Sequence, residues 1–172
     1  MKTAMLVFTP ISSYQPGALA DLIRKSYAGL VQVCPQHWKK EGEKWDDFDR
    51  QSFAHPDTIG ECVFVSSLDN EPIGLASYDP RHEPQYGLIG QNCILPEYRG
   101  QGFGKVQILE ILRRFKERKI RAARAITSEH PFFVPAMKMY VALGFREVRR
   151  FAGGPDPDHG LIELELPIIA LR

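Results

Sequence analysis

The sequence predicts an α/β fold: one domain over residues 1–172, with a mixed sheet and helices packed on it. Three observations carry that prediction. A strand-helix-strand unit in the middle of the chain requires at least one parallel pair, because parallel neighbours need a long crossover. Successive strands with short connections precede it and imply antiparallel pairing. The chain has 172 residues, 44% hydrophobic and 25% charged, which suits one compact unit and lies outside the compositional range of disorder.

The elements follow in order. Ala4–Phe8 reads as a strand stopped by Thr9-Pro10. Pro16 stands where a first helical residue belongs, and Leu19, Leu22, Ile23 and Tyr27 recur at helical spacing. A second helix is expected between Trp38 and Phe53, with Trp45, Phe48 and Phe53 on one face and Lys39, Lys40, Glu41, Glu43, Lys44, Asp46, Asp47 and Asp49 on the other. Strands at Cys62–Ser66 and Ile73–Tyr78 flank Leu68-Asp69-Asn70-Glu71, a hairpin connection. Tyr86–Leu95 is a third extended segment, ended by Pro96, with Gly87 and Gly90 as candidate bulges. From Gly102 to Arg118, Ile108, Ile111, Leu112 and Phe115 mark one helical face. Ala122–Thr127 is a strand, and Pro135–Leu143 is a short helix ended by Gly144. Phe145–Phe151 and Leu161–Leu166 close the order β-α-α-β-β-β-α-β-α-β-β. The last strand alternates Ile162, Leu164 and Leu166 inward with Glu163 and Glu165 outward.

Charge and cysteine usage exclude several functions. Lys plus Arg number 22 against 21 for Asp plus Glu, so no global field points to a nucleic acid or a membrane surface. Cys34, Cys62 and Cys93 are widely spaced, without the ligand spacing of a structural zinc site or the pattern of a disulfide framework. No run approaches the ~20 apolar residues of a membrane span, and the apolar run at the N-terminus is too short for a signal-peptide core. The expectation is a cytoplasmic protein.

Most of the chemistry is written in Ile94-Leu95-Pro96-Glu97-Tyr98-Arg99-Gly100-Gln101-Gly102-Phe103-Gly104-Lys105. This segment joins a strand to a long amphipathic helix through closely spaced glycines. Glycine admits positive φ and lets a ligand approach the backbone without side-chain obstruction. The helix that follows adds unpaired N–H groups and the positive end of its dipole, a setting that favours phosphate. Arg99 and Lys105 add positive charge. A Walker loop would need Gly at Arg99 and Ser or Thr at Val106; a dinucleotide fingerprint would need Gly at Lys105. Neither fits. A tight strand-to-helix connection is the plainer alternative.

Arg99-Gly100-Gln101-Gly102-Phe103-Gly104 resembles the (Arg/Gln)-x-x-Gly-x-(Gly/Ala) signature of the GCN5-related N-acetyltransferases (GNAT). Ala136-Met137-Lys138-Met139-Tyr140-Val141-Ala142-Leu143-Gly144-Phe145 is similar to the Ala-x-x-x-Tyr-x-x-x-Gly-Phe run found downstream in that family. The likeness covers roughly Tyr86 to Arg150. It implies an N-acetyltransferase that moves an acetyl group from acetyl-CoA to an amine by direct attack on the thioester, with no metal. The acceptor is a small-molecule amine, or a peptide amine. Homodimers are frequent in the family, but no motif here specifies an interface.

Carried over by residue, the resemblance implies that backbone N–H groups from Arg99 through Gly100, Gln101, Gly102, Phe103 and Gly104 to Lys105 hold the pyrophosphate. Near Ile94 the strand would splay from its neighbour and offer N–H groups to the pantetheine arm and the thioester oxygen. A fixed donor there would stabilise charge developing in the tetrahedral transition state. Tyr140 would be the acid: a phenol of pKa about 10 stays protonated at neutral pH and can protonate a departing thiolate. An alkylamine must also lose a proton before attack. Glu61, Glu129, His130, Glu97 and ordered water stand as candidate bases. The family often has Asn where this chain has Phe133, which implies an apolar wall in place of a polar contact.

Other readings remain open. Tyr140 lies beside Met137, Met139 and Leu143, as a core aromatic would. The basic run Arg113–Arg124 reads as a solvated helix face. The acidic patch Glu41–Asp49 is a candidate binder of a cationic amine or simply an exposed face. Trp38 and Trp45 line either an acceptor pocket or the core. The loop Gly153–Gly160 reads first as a turn, or as a cover for the acceptor, with His159 a remote candidate base. Rival functions are a non-catalytic acyl-CoA-binding module and transfer of a longer acyl chain.

Overall fold

The structure, a computed structural model, describes residues 5–168. Ala4, placed in the first expected strand, lies outside them. The described elements are β1 (Leu6–Pro10), α1 (Ala18–Val33), α2 (Pro35–Trp38), α3 (Glu41–Ala54), β2 (Val63–Leu68), β3 (Glu71–Asp79), β4 (Gly87–Ile94), α4 (Phe103–Glu117), β5 (Ala122–Ser128), α5 (Val134–Ala142), β6 (Arg146–Phe151) and β7 (Leu161–Pro167). This is the expected order with one short helix added: α3 is the helix expected between Trp38 and Phe53, and α2 is an extra turn before it. Pro35, which has no N–H to continue α1, starts the separate turn α2. No helix among the described residues is long and apolar enough to cross a membrane.

The strands pair in the order β1-β2-β3-β4-β5-β7-β6. β1–β2, β2–β3, β5–β7 and β6–β7 are antiparallel, and β4–β5 is parallel. The sheet is therefore mixed, as the strand-helix-strand unit requires. Asp69 (φ 49°) and Asn70 (φ 71°) are both left-handed, which matches a two-residue hairpin turn to the twist of the strands it joins.

The chain forms two compact units. One comprises residues up to Ser77 with Gln91–Phe103; the other comprises Tyr78–Gly90 with Gly104 onward. In the first, Leu19 and Ile23 of α1, Trp45 of α3, Val65 of β2, Leu75 of β3 and Cys93 of β4 form one apolar cluster. Trp45 stacks on Tyr27 at 5.6 Å, and Trp38 is buried as well, so both tryptophans are core. The start of α1 is held from α3: buried Asp49 accepts N–H bonds from Gly17 (2.7 Å), Leu19 (2.9 Å) and Ala20 (3.2 Å). Burial pushes the Cys93 thiol up from its ordinary value, which makes it a poor nucleophile.

In the second unit the ring of Phe115 on α4 meets Tyr78 edge-on at 5.3 Å. A Cβ on Gly87 would lie 2.4 Å from the same ring, so this glycine serves close approach rather than a bulge. β7 departs from the expected alternation. Glu163 is only 7% exposed, because β7 lies between β5 and β6 rather than at an edge. It pairs opposite Arg149 in register and accepts from that guanidinium. The basic run is likewise paired: Arg113 and Arg114 with Glu110, Arg118 with Glu83, Arg124 with Glu165.

Candidate active site

β4 ends at Ile94, which is buried. Leu95 continues the extended path and donates its N–H to Ile73 at 2.8 Å. Pro96–Tyr98 then form a single 3-10 turn. The N–H of Tyr98 closes on Leu95 (3.0 Å) and that of Arg99 on Pro96 (3.2 Å), so the amide of Arg99 is already engaged by the turn.

The chain next passes through Gly100 (φ 74°) and Gly102 (φ 87°), both left-handed. Residues with a side chain rarely adopt such angles. A Cβ at either position would meet nothing within 4 Å beyond its chain neighbours. Packing therefore does not demand glycine here; the backbone angle does, and it leaves the main chain uncovered. α4 begins at Phe103, and the first N–H groups of a helix have no acceptor within it. Lys105, in the first turn, is exposed. The combination of bare backbone, N–H donors, helix dipole and ammonium can receive a dianionic diphosphate.

The Arg99 side chain sets this turn. Its Nε donates to the Ile94 carbonyl at 3.1 Å, and its Nη2 donates to the Ser26 carbonyl on α1. One guanidinium thus fixes the end of β4 and the start of the glycine turn to α1. The β4–β5 ladder, among the described residues, pairs Gly87 with Ala123 and Leu88 with Arg124, although β4 runs on to Ile94 and β5 to Ser128.

Tyr140 lies in α5 and is buried, with its ring edge-on to Phe145 at 5.2 Å. The Tyr-x-x-x-Gly-Phe run explains itself locally. Gly144 (φ 95°) takes the left-handed position that ends the helix, and Phe145 then turns back, donating its N–H to the Tyr140 carbonyl at 3.0 Å. The motif thereby fixes the tyrosine ring. Phe133, where the family often has Asn, sits edge-on to Phe132 at 5.2 Å.

The candidate bases fall into distinct settings. Glu61 and Glu97 are exposed, and the Glu97 carbonyl takes the Gln101 amide at 3.4 Å. Glu129 is committed to an ion pair with Arg150 and to the Gly160 N–H at 3.1 Å. His130 accepts the Phe132 N–H on Nδ1 at 3.1 Å. The acidic patch is mostly occupied: Asp46 pairs with Arg24, Asp47 with Arg50, Glu41 with Lys44, and Asp49 caps α1. The pairs within α3 are three residues apart, but sequence spacing could not reveal the partners of Asp46 and Asp49, because Arg24 and the α1 amides reach α3 only through the fold.

A family model described as the acetyltransferase (GNAT) family matches residues 25–145. No curated protein sequence matches significantly. Among solved structures, a GNAT-family protein from Desulfovibrio desulfuricans superposes with a TM-score of 0.72 at 16% identity, covering 95% of this chain and 99% of its own. An aminoglycoside 6'-N-acetyltransferase complexed with coenzyme A gives 0.69 at 14% identity, covering 94% and 97%. YncA of Salmonella typhimurium, solved with acetyl-CoA, gives 0.68 at 13%, covering 95% and 94%.

Proposed function

Since this chain belongs to the acetyltransferase (GNAT) family, we propose that it moves the acetyl group of acetyl-CoA to a small-molecule amine by direct attack on the thioester. The observation that supports this reading most is the turn at Gly100 and Gly102, left-handed and uncovered, at the start of α4. The amides from Gly100 to Lys105 hold the diphosphate. Arg99 belongs to the site through the turn it braces, since its own N–H and guanidinium are bound to protein carbonyls.

The N–H groups at the end of β4, near Ile94, receive the pantetheine arm and the thioester oxygen. That oxygen gains charge as the amine adds, and a preorganised backbone donor lowers the barrier because it needs no reorganisation. Tyr140 gives its phenolic proton to the sulfur as the C–S bond breaks. Coenzyme A and acetyl-CoA in the aminoglycoside acetyltransferase and YncA structures agree with this donor.

Incubation with acetyl-CoA and a thiol trap, across a panel of small alkylamines and peptide α- and ε-amines, tests the proposal. Free thiol released only when an amine is present supports transfer, and the best amine fixes the acceptor class. Tight binding of acetyl-CoA with no release for any amine would overturn it in favour of a non-catalytic binding module.

A further inference from the structure

The carboxyl end of β5 carries a built cluster that the reaction as described leaves unused. Asp156, in the β6–β7 loop, is 3% exposed. Its Oδ1 accepts the Asp158 N–H at 2.9 Å, and its Oδ2 lies 2.8 Å from Nδ1 of His159. A buried carboxylate on Nδ1 keeps the proton on that nitrogen, so Nε2 presents its lone pair. The His159 side chain is 35% exposed and can meet a ligand. His130 packs edge-on against it, ring centroids 4.8 Å apart.

The backbone holds this cluster in place. Glu129 donates its N–H to the Gly160 carbonyl at 2.9 Å and accepts the Gly160 N–H on Oε2 at 3.1 Å. His130 donates its N–H to Ser128 Oγ at 3.0 Å. The loop is thus fixed at Gly160, next to His159, to Glu129, next to His130. Functional side chains need this kind of support.

Position gives the cluster its chemistry. In α/β sheets, ligands bind beyond the carboxyl ends of parallel strands. Here β4 and β5 are parallel. The carboxyl end of β5 runs into His130, against which His159 packs, and then into α5, which carries Tyr140.

We propose that His159, oriented by Asp156, is the base that removes a proton from the acceptor ammonium. This rests on the amine-transfer reading above and adds to it the missing proton acceptor. The balance is complete. Nε2 takes one proton from the ammonium, and the freed lone pair forms the C–N bond. The C–S electron pair leaves with sulfur, which takes the Tyr140 proton. The second nitrogen proton, lost as the intermediate collapses, restores the phenol, and the imidazolium returns its proton to water. Asp156 is a positioning residue: it holds the tautomer and stabilises the imidazolium.

The test uses the full chain, acetyl-CoA and the best alkylamine of the panel. His159→Ala is expected to lower turnover per folded molecule about 10²-fold or more, with coenzyme A affinity unchanged. Added imidazole is expected to restore turnover in proportion to its concentration, which a merely structural histidine would not permit. Asp156→Asn is expected to lower turnover about tenfold or more with the same affinity. Wild-type turnover in both variants, or a loss in His159→Ala that imidazole does not relieve, overturns the assignment while the transfer reading stands. Absence of amine-dependent thiol release by the wild type overturns both.

Discussion

Among the described residues, each of the two compact units buries one aspartate, and the two meet different kinds of partner. Asp49 is 5% exposed and takes only backbone N–H groups, from Gly17, Leu19 and Ala20. Every donor is static, so the carboxylate can do no more than fix α1 to α3. Asp156 is 3% exposed, and among its partners are the Asp158 N–H and an imidazole nitrogen of His159. An imidazole has a second nitrogen, so what the carboxylate fixes can still exchange protons. Burial alone does not mark a functional carboxylate; the chemistry of its partners does.

The same distinction separates groups that act on substrate from groups that hold the chain, and it orders the expected effects. Tyr140→Phe should lower turnover about 10²–10⁴-fold with little change in coenzyme A affinity; steady-state kinetics beside calorimetry decide it, and an unchanged rate across pH removes the phenol from the mechanism. Asp49→Ala should cost about 2–3 kcal/mol of stability, because three N–H groups lose a charged acceptor. Turnover per folded molecule should stay at the wild-type level, and denaturant melts with active-site-normalised rates check both halves. Gly144→Ala should cost about 1 kcal/mol, since alanine resists the left-handed angle; a larger loss of turnover than of stability would mean that the helix end also aims Tyr140.

The smallest effect concerns pH. Hydrogen bonds from Arg113 and then Arg114 hold the Glu110 carboxyl below its ordinary range. A carboxyl lowered in the folded state stabilises the fold above its unfolded value, about 4.3, and that gain fades as pH falls through the lowered value. Melting midpoints of wild type and Glu110→Gln should differ slightly at pH 7 and converge in acid. A gap that persists in acid would assign the difference to packing.

The reach of the sequence follows from how local each signal is. The glycine turn, α4 and the Gly144 stop depend on neighbours a few residues away, and the structure has them where spacing and backbone preference put them. The hairpin at Asp69-Asn70 was legible for the same reason. Strand order was not fully legible: β7 lies between β5 and β6, which buries Glu163 against Arg149 and defeats the simple in-out alternation. The acidic face of α3 hid the partners of Asp46 and Asp49 because Arg24 and the α1 amides come from another helix. Asp156 and His159 are three apart in sequence, yet nothing local says that the pair sits beside His130, which is brought there by the bonds between Glu129 and Gly160.

The grip of the main chain past Tyr98 on a diphosphate is the claim on which the rest depends, and one calorimetric comparison reaches it directly. Coenzyme A and pantetheine, which lacks the diphosphate, are titrated into the wild type and into Gly102→Val at matched folded fraction. The wild type should bind coenzyme A about a hundredfold or more tighter than pantetheine, as two charge-assisted N–H bonds allow, and the variant should lose that margin. Equal affinities of the wild type for both ligands, or a variant that keeps the full margin, would contradict the account.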